Sequence, residues 1–131
     1  MAHNATELFA QFVYSLELSY HSLLERETEL KAAVAGIWEQ YGGEFIHFEE
    51  MGDTIRAQCV FAKYEEDLFH DICEDIAPHM DSFVEARLLF INKDLDTLHL
   101  YTISNGNCRE SCLSLPIAGP LGLALLERDS R

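Results

Sequence analysis

From Phe9 to Tyr41, apolar residues recur at alternating steps of four and three: Phe9, Val13, Leu16, Tyr20, Leu23, then Leu30, Val34, Ile37 and Tyr41. Glu27 is the one break in this seam, and Leu8, Phe12, Leu24 and Trp38 widen it. The spacing predicts an amphipathic helix over Asn4–Tyr41. Asn4 followed by Glu7 has capping-box spacing, and Gly42-Gly43 is a stop signal. Roughly 38 helical residues at ~1.5 Å each would span about 57 Å. That exceeds a compact domain of this size, with its radius of gyration of about 14 Å. The helix is therefore expected either to bend near Ser19–Glu27 or to be covered by a second subunit. The favoured reading is a homodimer whose interface is Phe9, Val13, Leu16, Tyr20, Leu23, Leu30, Val34 and Ile37.

After Gly42-Gly43 the apolar period changes to two. Ile46 and Phe48 alternate with His47 and Glu49, and Ile55, Ala57, Cys59 and Phe61 alternate with Arg56 and Gln58. Two strands joined by a tight turn at Gly52-Asp53 are predicted, with Glu49 opposite Arg56 and Ile46 opposite Cys59. A second helix is expected from Tyr64 to Ala77, with acids at its start, Pro78 at its end and Phe69, Ile72, Cys73 and Ile76 as its buried stripe. Three more strands follow at Ser82–Ile91, Thr97–Ser104 and Asn107–Leu115, and Gly119-Pro120 opens a short apolar helix through Glu127. The expected fold is thus α+β, with a long N-terminal amphipathic helix and a mostly antiparallel five-stranded sheet in the order α-β-β-α-β-β-β-α. The chain reads as a single domain over 1–131, with a helical segment at 4–41 and a sheet-containing body at 43–128.

This order of elements resembles that of roadblock-type regulatory domains, small dimerising modules that bind other proteins, small GTPases among them. The resemblance covers topology alone and implies a regulatory role without assigning residues. Acidic secretion chaperones are similar in size, charge and dimeric habit.

Strand register brings specific side chains together. Asn105-Gly106 is a strong type I′ hairpin signal, and a two-residue loop there sets Ile103 opposite Cys108, Tyr101 opposite Glu110 and His99 opposite Cys112. A three-residue turn at Lys93-Asp94-Leu95 would place Leu88 beside Leu100 and Phe90 beside Leu98. One sheet face would then carry Arg87, Tyr101 and Glu110 in a row, with Leu89, His99 and Cys112 in the next and Glu85, Ile103 and Cys108 in a third.

Charge narrows the function classes. The chain of 131 residues holds 23 acids and 9 bases, a net charge of −14. Nucleic acid and anionic membrane surfaces both select for clustered bases, so neither is an expected partner. No signal-peptide pattern opens the chain and no apolar run reaches membrane-spanning length, which reads as a cytoplasmic protein. Cys59, Cys73, Cys108 and Cys112 form no CxxC pair and are read as thiols. No nucleophile elbow, HExxH helix or phosphate loop is present, so no cofactor is expected and enzymatic activity is not.

The leading expectation is a small acidic, non-enzymatic interaction or regulatory module acting as a homodimer with a protein partner. The alternative is a small-anion sensor on the outer sheet face, in which Arg87 grips a carboxylate or phosphate beside Tyr101, Glu110 and His99. A metal site built from His99 and Cys112, or an enzyme with an unrecognised site, is the third reading.

Overall fold

A computed structural model describes residues 5–92 and 97–114. The chain does not open with a helix. Thr6–Tyr14 forms strand β1, and the first helix, α1, begins at Tyr20 and ends at Gln40. β2 (Glu44–Met51), β3 (Thr54–Phe61), α2 (Glu66–Ile76), β4 (Val84–Asn92), β5 (Thr97–Ser104) and β6 (Asn107–Ser114) follow, with a short 3-10 turn at Ala77–His79 after α2. The sheet has six antiparallel strands in the order β2-β3-β1-β4-β5-β6. The first six elements thus have the split β-α-β-β-α-β connectivity of ferredoxin-like folds, extended past β4 by the β5–β6 hairpin. The expected helix-first, five-stranded arrangement is corrected, and with it the topological resemblance to roadblock-type domains. The expected C-terminal helix at Gly119–Glu127 lies outside the described residues.

The physical reason lies in a segment that satisfies two periods. Along Thr6–Tyr14 the residues Leu8, Ala10, Phe12 and Tyr14 are buried, while Glu7, Phe9 and Val13 point away from the core. Phe9 and Val13 are apolar although they face outward, so a period near 3.6 fits as well as a period of two. The local composition, rich in Phe, Val and Tyr, favours the extended form. β1 then satisfies its backbone on both sides, pairing with β3 and with β4. The Thr6 hydroxyl anchors one end to Lys63 O at 2.7 Å, and Ser15 N closes the other on Phe83 O at 2.7 Å.

Ser19, not Asn4, caps the helix, its hydroxyl accepting from Ser22 N at 3.3 Å. α1 buries Leu30, Val34, Ile37 and Trp38 against the sheet of the same chain. The expected dimer seam therefore does not exist as one surface. Phe9 and Val13 are on a strand, Leu16 and Tyr20 are exposed, and Leu30, Val34 and Ile37 are already covered. The helix closes at Gly42, which takes φ of 89°, and Gly43 N donates to Trp38 O at 2.7 Å. A Cβ at Gly43 would stand 2.8 Å from that oxygen, so this turn needs its second glycine.

α2 carries the predicted stripe, with Phe69, Ile72, Cys73 and Ile76 all buried. The β2–β3 hairpin also pairs as expected at its tip, Glu49 opposite Arg56. The expected Ile46–Cys59 pairing is interrupted, because the register shifts between Glu44 and His47, where Phe45 takes a φ of 55°. Both helices lie on the sheet face that carries Leu8, Ile55, Leu88 and Tyr101. Among the described residues no element covers the other face. No helix among the described residues is long and apolar enough to cross a membrane.

Two stability outcomes follow from this placement. Leu16 is 87% exposed and Leu30 is 3% exposed. Leu30→Ala should cost about 2–5 kcal/mol by creating a cavity, whereas Leu16→Glu should stay within about 0.5 kcal/mol, both read by urea denaturation. Glu27 offers the second test. It is buried in α1 with Oε2 lacking a hydrogen-bond partner, and burial, reinforced by Glu50 and opposed by Lys31, raises its pKa. A raised carboxyl pKa means the charged form is disfavoured in the fold, a cost present at neutral pH and relieved as pH falls through the raised value. Glu27→Leu should therefore raise the thermal midpoint at pH 7, and the gain over wild type should shrink in acid.

Candidate functional site

The residues expected to share one face are divided between two. The turn Lys93-Asp94-Leu95 itself lies outside the described residues, but the strands on either side define the register: Arg87 pairs with Thr102, Leu88 with Tyr101 and Phe90 with His99. This is one residue away from the expected pairing. Arg87 consequently points to the uncovered face, and His99 and Tyr101 point beneath α2. The β5–β6 hairpin pairs as predicted, Tyr101 with Glu110, His99 with Cys112 and Ile103 with Cys108. Asn105 and Gly106 both have positive φ, as a type I′ turn requires.

The register ambiguity arises because β5 is apolar on both sides, with Leu98 and Leu100 on one and Tyr101 and Ile103 on the other. Packing decides between them. Phe90 stacks on Phe69 of α2 with centroids 4.2 Å apart, and Tyr101 meets Phe90 edge-on at 5.7 Å. The larger aromatic set goes under the helix, and the leucines are left on the uncovered face.

On that uncovered face one row crosses all six strands: Glu49, Arg56, Gln11, Arg87, Thr102 and Arg109. Neighbouring strands are about 4.8 Å apart, so successive arginines in the row stand about 10 Å from one another at their backbones. Arg56, Arg87 and Arg109 have no ion pair among the described residues. The other described basic side chains are paired, Arg26 with Asp81, Lys31 with Glu50 and Lys63 with Glu65. Beside the row lies an apolar strip of Phe9, Leu89, Leu98 and Leu100, which lines a cleft of about 700 Å³ together with Glu49, Arg56, Gln11 and Arg87. A second depression of about 720 Å³ reaches Arg109 and shares Arg87 and Gln11 with the first. Arg87 stands between the two.

The helix-covered face holds a different chemistry. Tyr101 is fully buried and its hydroxyl donates to Glu110 Oε2 at 2.6 Å. His99, also buried, places Nδ1 2.9 Å from the same oxygen and Nε2 3.2 Å from Glu66 Oε1. Cys112 Sγ lies 3.7 Å from Nε2. The bond from Tyr101 holds the Glu110 carboxyl below its ordinary range, with a smaller contribution from His99 and burial opposing both. Burial and the Glu110 contact push the Tyr101 phenol up. Cys59, surrounded by apolar side chains, is pushed up to about 12 by burial. Burial also pushes Cys73 up, while its hydrogen bond to Cys108 lowers the pKa of that thiol.

Three of the four expected ligand-binding residues, Tyr101, Glu110 and His99, therefore do assemble, and Arg87 belongs to the opposite surface. His99 and Cys112 are neighbours as expected. Among the described residues, however, no group of three or more His, Cys, Asp and Glu side chains has an arrangement that could hold a metal ion. Sequence reasoning missed Arg56 and Arg109 because their strands become neighbours of Arg87 only through β1 and β5. The signal that could have found them is the outward alternation of Arg56 with Ile55 and Ala57, and of Arg109 with Cys108 and Glu110. The architecture defines an α+β domain with one covered and one uncovered sheet face. No family model matches the chain, and no curated protein matches it at a significant level.

The Glu110 cluster makes a pH prediction. A carboxylate whose pKa is lowered by folding contributes stability above its ordinary value of 4.5, and that contribution is lost as pH falls through the lowered value. Wild-type stability should therefore decline below about pH 4.5. Glu110→Gln should be less stable at pH 7 and show a flatter acid limb, measured as thermal midpoint against pH.

Proposed function

We propose that the protein is a binding module that takes an anionic, partly apolar molecule on its uncovered sheet face. The observation that supports this reading is the row of Arg56, Arg87 and Arg109, exposed and without ion pairs among the described residues, in a chain of net charge −14. Each basic side chain elsewhere in the described structure is matched by an acid, so unmatched arginines in one row are set apart from the general surface. A guanidinium is planar, always charged and able to grip a carboxylate or phosphate with two parallel hydrogen bonds. The adjoining Phe9, Leu89, Leu98 and Leu100 supply apolar contact for the rest of the ligand, and a cleft of this composition has the character of a small-ligand site.

This keeps the expectation of anion binding through Arg87 but changes its companions from Tyr101, Glu110 and His99 to Arg56, Arg109, Gln11 and the apolar strip. The expectation of a protein partner is compatible with the same surface, because an acidic segment with apolar side chains presents the same groups. A homodimer would not form through the α1 seam, since Leu30, Val34 and Ile37 are covered within one chain.

The naphthalene sulfonate dye ANS combines an anion with an aromatic body and serves as a probe. Its fluorescence should rise on binding to the native protein. Arg87→Gln, a solvent-exposed change with little effect on folding, should weaken binding about tenfold, equivalent to about 1.4 kcal/mol. Adding Arg56→Gln should weaken it further. Equal affinity in wild type and the double variant would remove this face from consideration.

A further inference from the structure

The helix-covered cluster carries a separate chemistry, on the opposite side of the sheet from the arginine row. Three side chains from β5 and β6 stand in line: Cys112 Sγ is 3.7 Å from His99 Nε2, and His99 Nδ1 is 2.9 Å from Glu110 Oε2. The Tyr101 hydroxyl donates to that same carboxylate oxygen at 2.6 Å. An ionised carboxylate can only accept, so Nδ1 is the donor toward Glu110, and Nε2 is left facing both the Cys112 thiol and Glu66 Oε1. His99 is 2% exposed, and its ring is flanked by Tyr64 and Phe69, each with centroids 5.8 Å away. The ring is thus fixed in place, whereas Cys112 faces solvent. An accessible thiol, an immobilised base in reach of it, and a third group orienting that base together form the arrangement that activates a nucleophile.

We propose that Cys112 is a nucleophile with His99 as its base and Glu110 as the positioning residue, acting on the carbonyl of an ester or thioester that carries a positive charge. The charge follows from the hollow beside the cluster, about 320 Å³, lined by Glu66, Asp67, His70, Asp71, Tyr101 and Glu110. Four carboxylates repel an anion and attract an ammonium or guanidinium group. Two of them, Glu66 and Glu110, are also the acids that touch His99, so a cation held in the hollow lies beside the ring that faces the thiol.

The step balances as an acyl transfer. The Cys112 thiol passes its proton to His99 Nε2 while a sulfur lone pair forms the S–C bond and the carbonyl π pair moves onto oxygen. Collapse expels the alkoxide or thiolate, which takes the proton back from Nε2, leaving a thioester on Cys112. Water then adds to the thioester carbonyl as its proton passes to Nε2. Collapse breaks the C–S bond and releases the acid, while the Cys112 thiolate takes the proton back from Nε2. While Nε2 holds the proton, Glu66 Oε1 at 3.2 Å faces it, so the imidazolium has a carboxylate at each nitrogen. Among the described residues the titratable groups facing His99 are Glu66 from α2, Glu110 and Cys112 from β6, and Tyr64 ahead of α2, with Tyr101 from β5 bonded to the same Glu110 oxygen.

The test uses the whole protein with two activated esters, glycine p-nitrophenyl ester as the cationic probe and p-nitrophenyl acetate as the neutral one. A burst of p-nitrophenolate is expected, with the acyl adduct mapped by mass spectrometry to Cys112 and absent from Cys112→Ser. The cationic ester should acylate about tenfold faster than the neutral one after correction for their reactivity toward glutathione. His99→Gln would empty a buried position, so the partly exposed Glu110→Gln carries the test of positioning. It should slow acylation about 10²-fold and displace the pH profile of the rate, which a loss of fold stability alone would not do. Acylation at Cys108 instead of Cys112, a rate no greater than that of glutathione, or an unchanged rate and pH profile in Glu110→Gln would overturn the assignment. Equal corrected rates for the two esters would overturn the cationic substrate class.

Discussion

The structure depends on β1 lying in the middle of the sheet. This strand is hydrogen-bonded on both edges, to β3 and to β4, and it joins the β2–β3 hairpin to the three-stranded β4–β6 meander. Its alternation also assigns the faces for its neighbours. Leu8, Ala10, Phe12 and Tyr14 point toward the helices, so Ile55, Ala57 and Cys59 on one side and Ala86, Leu88 and Phe90 on the other must do the same. The Tyr14 hydroxyl carries this order into the helical layer by donating to Arg26 O at 3.1 Å. The pairing spans long stretches of chain, and loop closure must be met before those contacts repay it.

Because the helices cover one face, the two faces carry different side-chain chemistry. The helical layer is acidic, with Glu65, Glu66, Asp67, Asp71, Glu74 and Asp75 along α2 and its approach. The uncovered face holds three arginines without an ion pair among the described residues, Glu49 and Glu85 near them, and an apolar strip. Neighbouring residues of the same strands serve both sides: Arg87 faces one way and Leu88 the other, Thr102 one way and Tyr101 the other. The arginine row and the thiol cluster are therefore back to back, separated by a single layer of sheet. Substitutions in one need not disturb the other unless they change the register they share.

The legible parts of the sequence were those decided by short-range stereochemistry. Asn105-Gly106 demanded a tight turn with two positive φ values, and that alone brought Tyr101 to Glu110 and His99 to Cys112. Gly52-Asp53 likewise set Glu49 against Arg56, and the period of α2 marked Phe69, Ile72, Cys73 and Ile76 as buried. The misread parts were those where a segment is apolar on two sides. Phe9 and Val13 completed a helical seam on paper although they lie on the outer side of a strand. Leu98 and Leu100 outweighed Tyr101 and Ile103 as core residues until Phe69 and Phe90 are seen to demand the aromatic side.

The sequence by itself determined the acidic charge, the α+β class, the turns at Gly52-Asp53 and Asn105-Gly106, and the pairing of His99 with Cys112. Each follows from composition or from interactions between residues close in the chain, where backbone geometry leaves few alternatives. Only the tertiary structure decided that the first segment is a strand, that Arg87 joins Arg56 and Arg109, and that Leu30, Val34 and Ile37 need no second subunit. These outcomes rest on which of two apolar faces finds a partner in a distant segment. A one-residue change of register exchanges the faces at almost no local cost, so the choice is made by the packing of the whole sheet against its two helices.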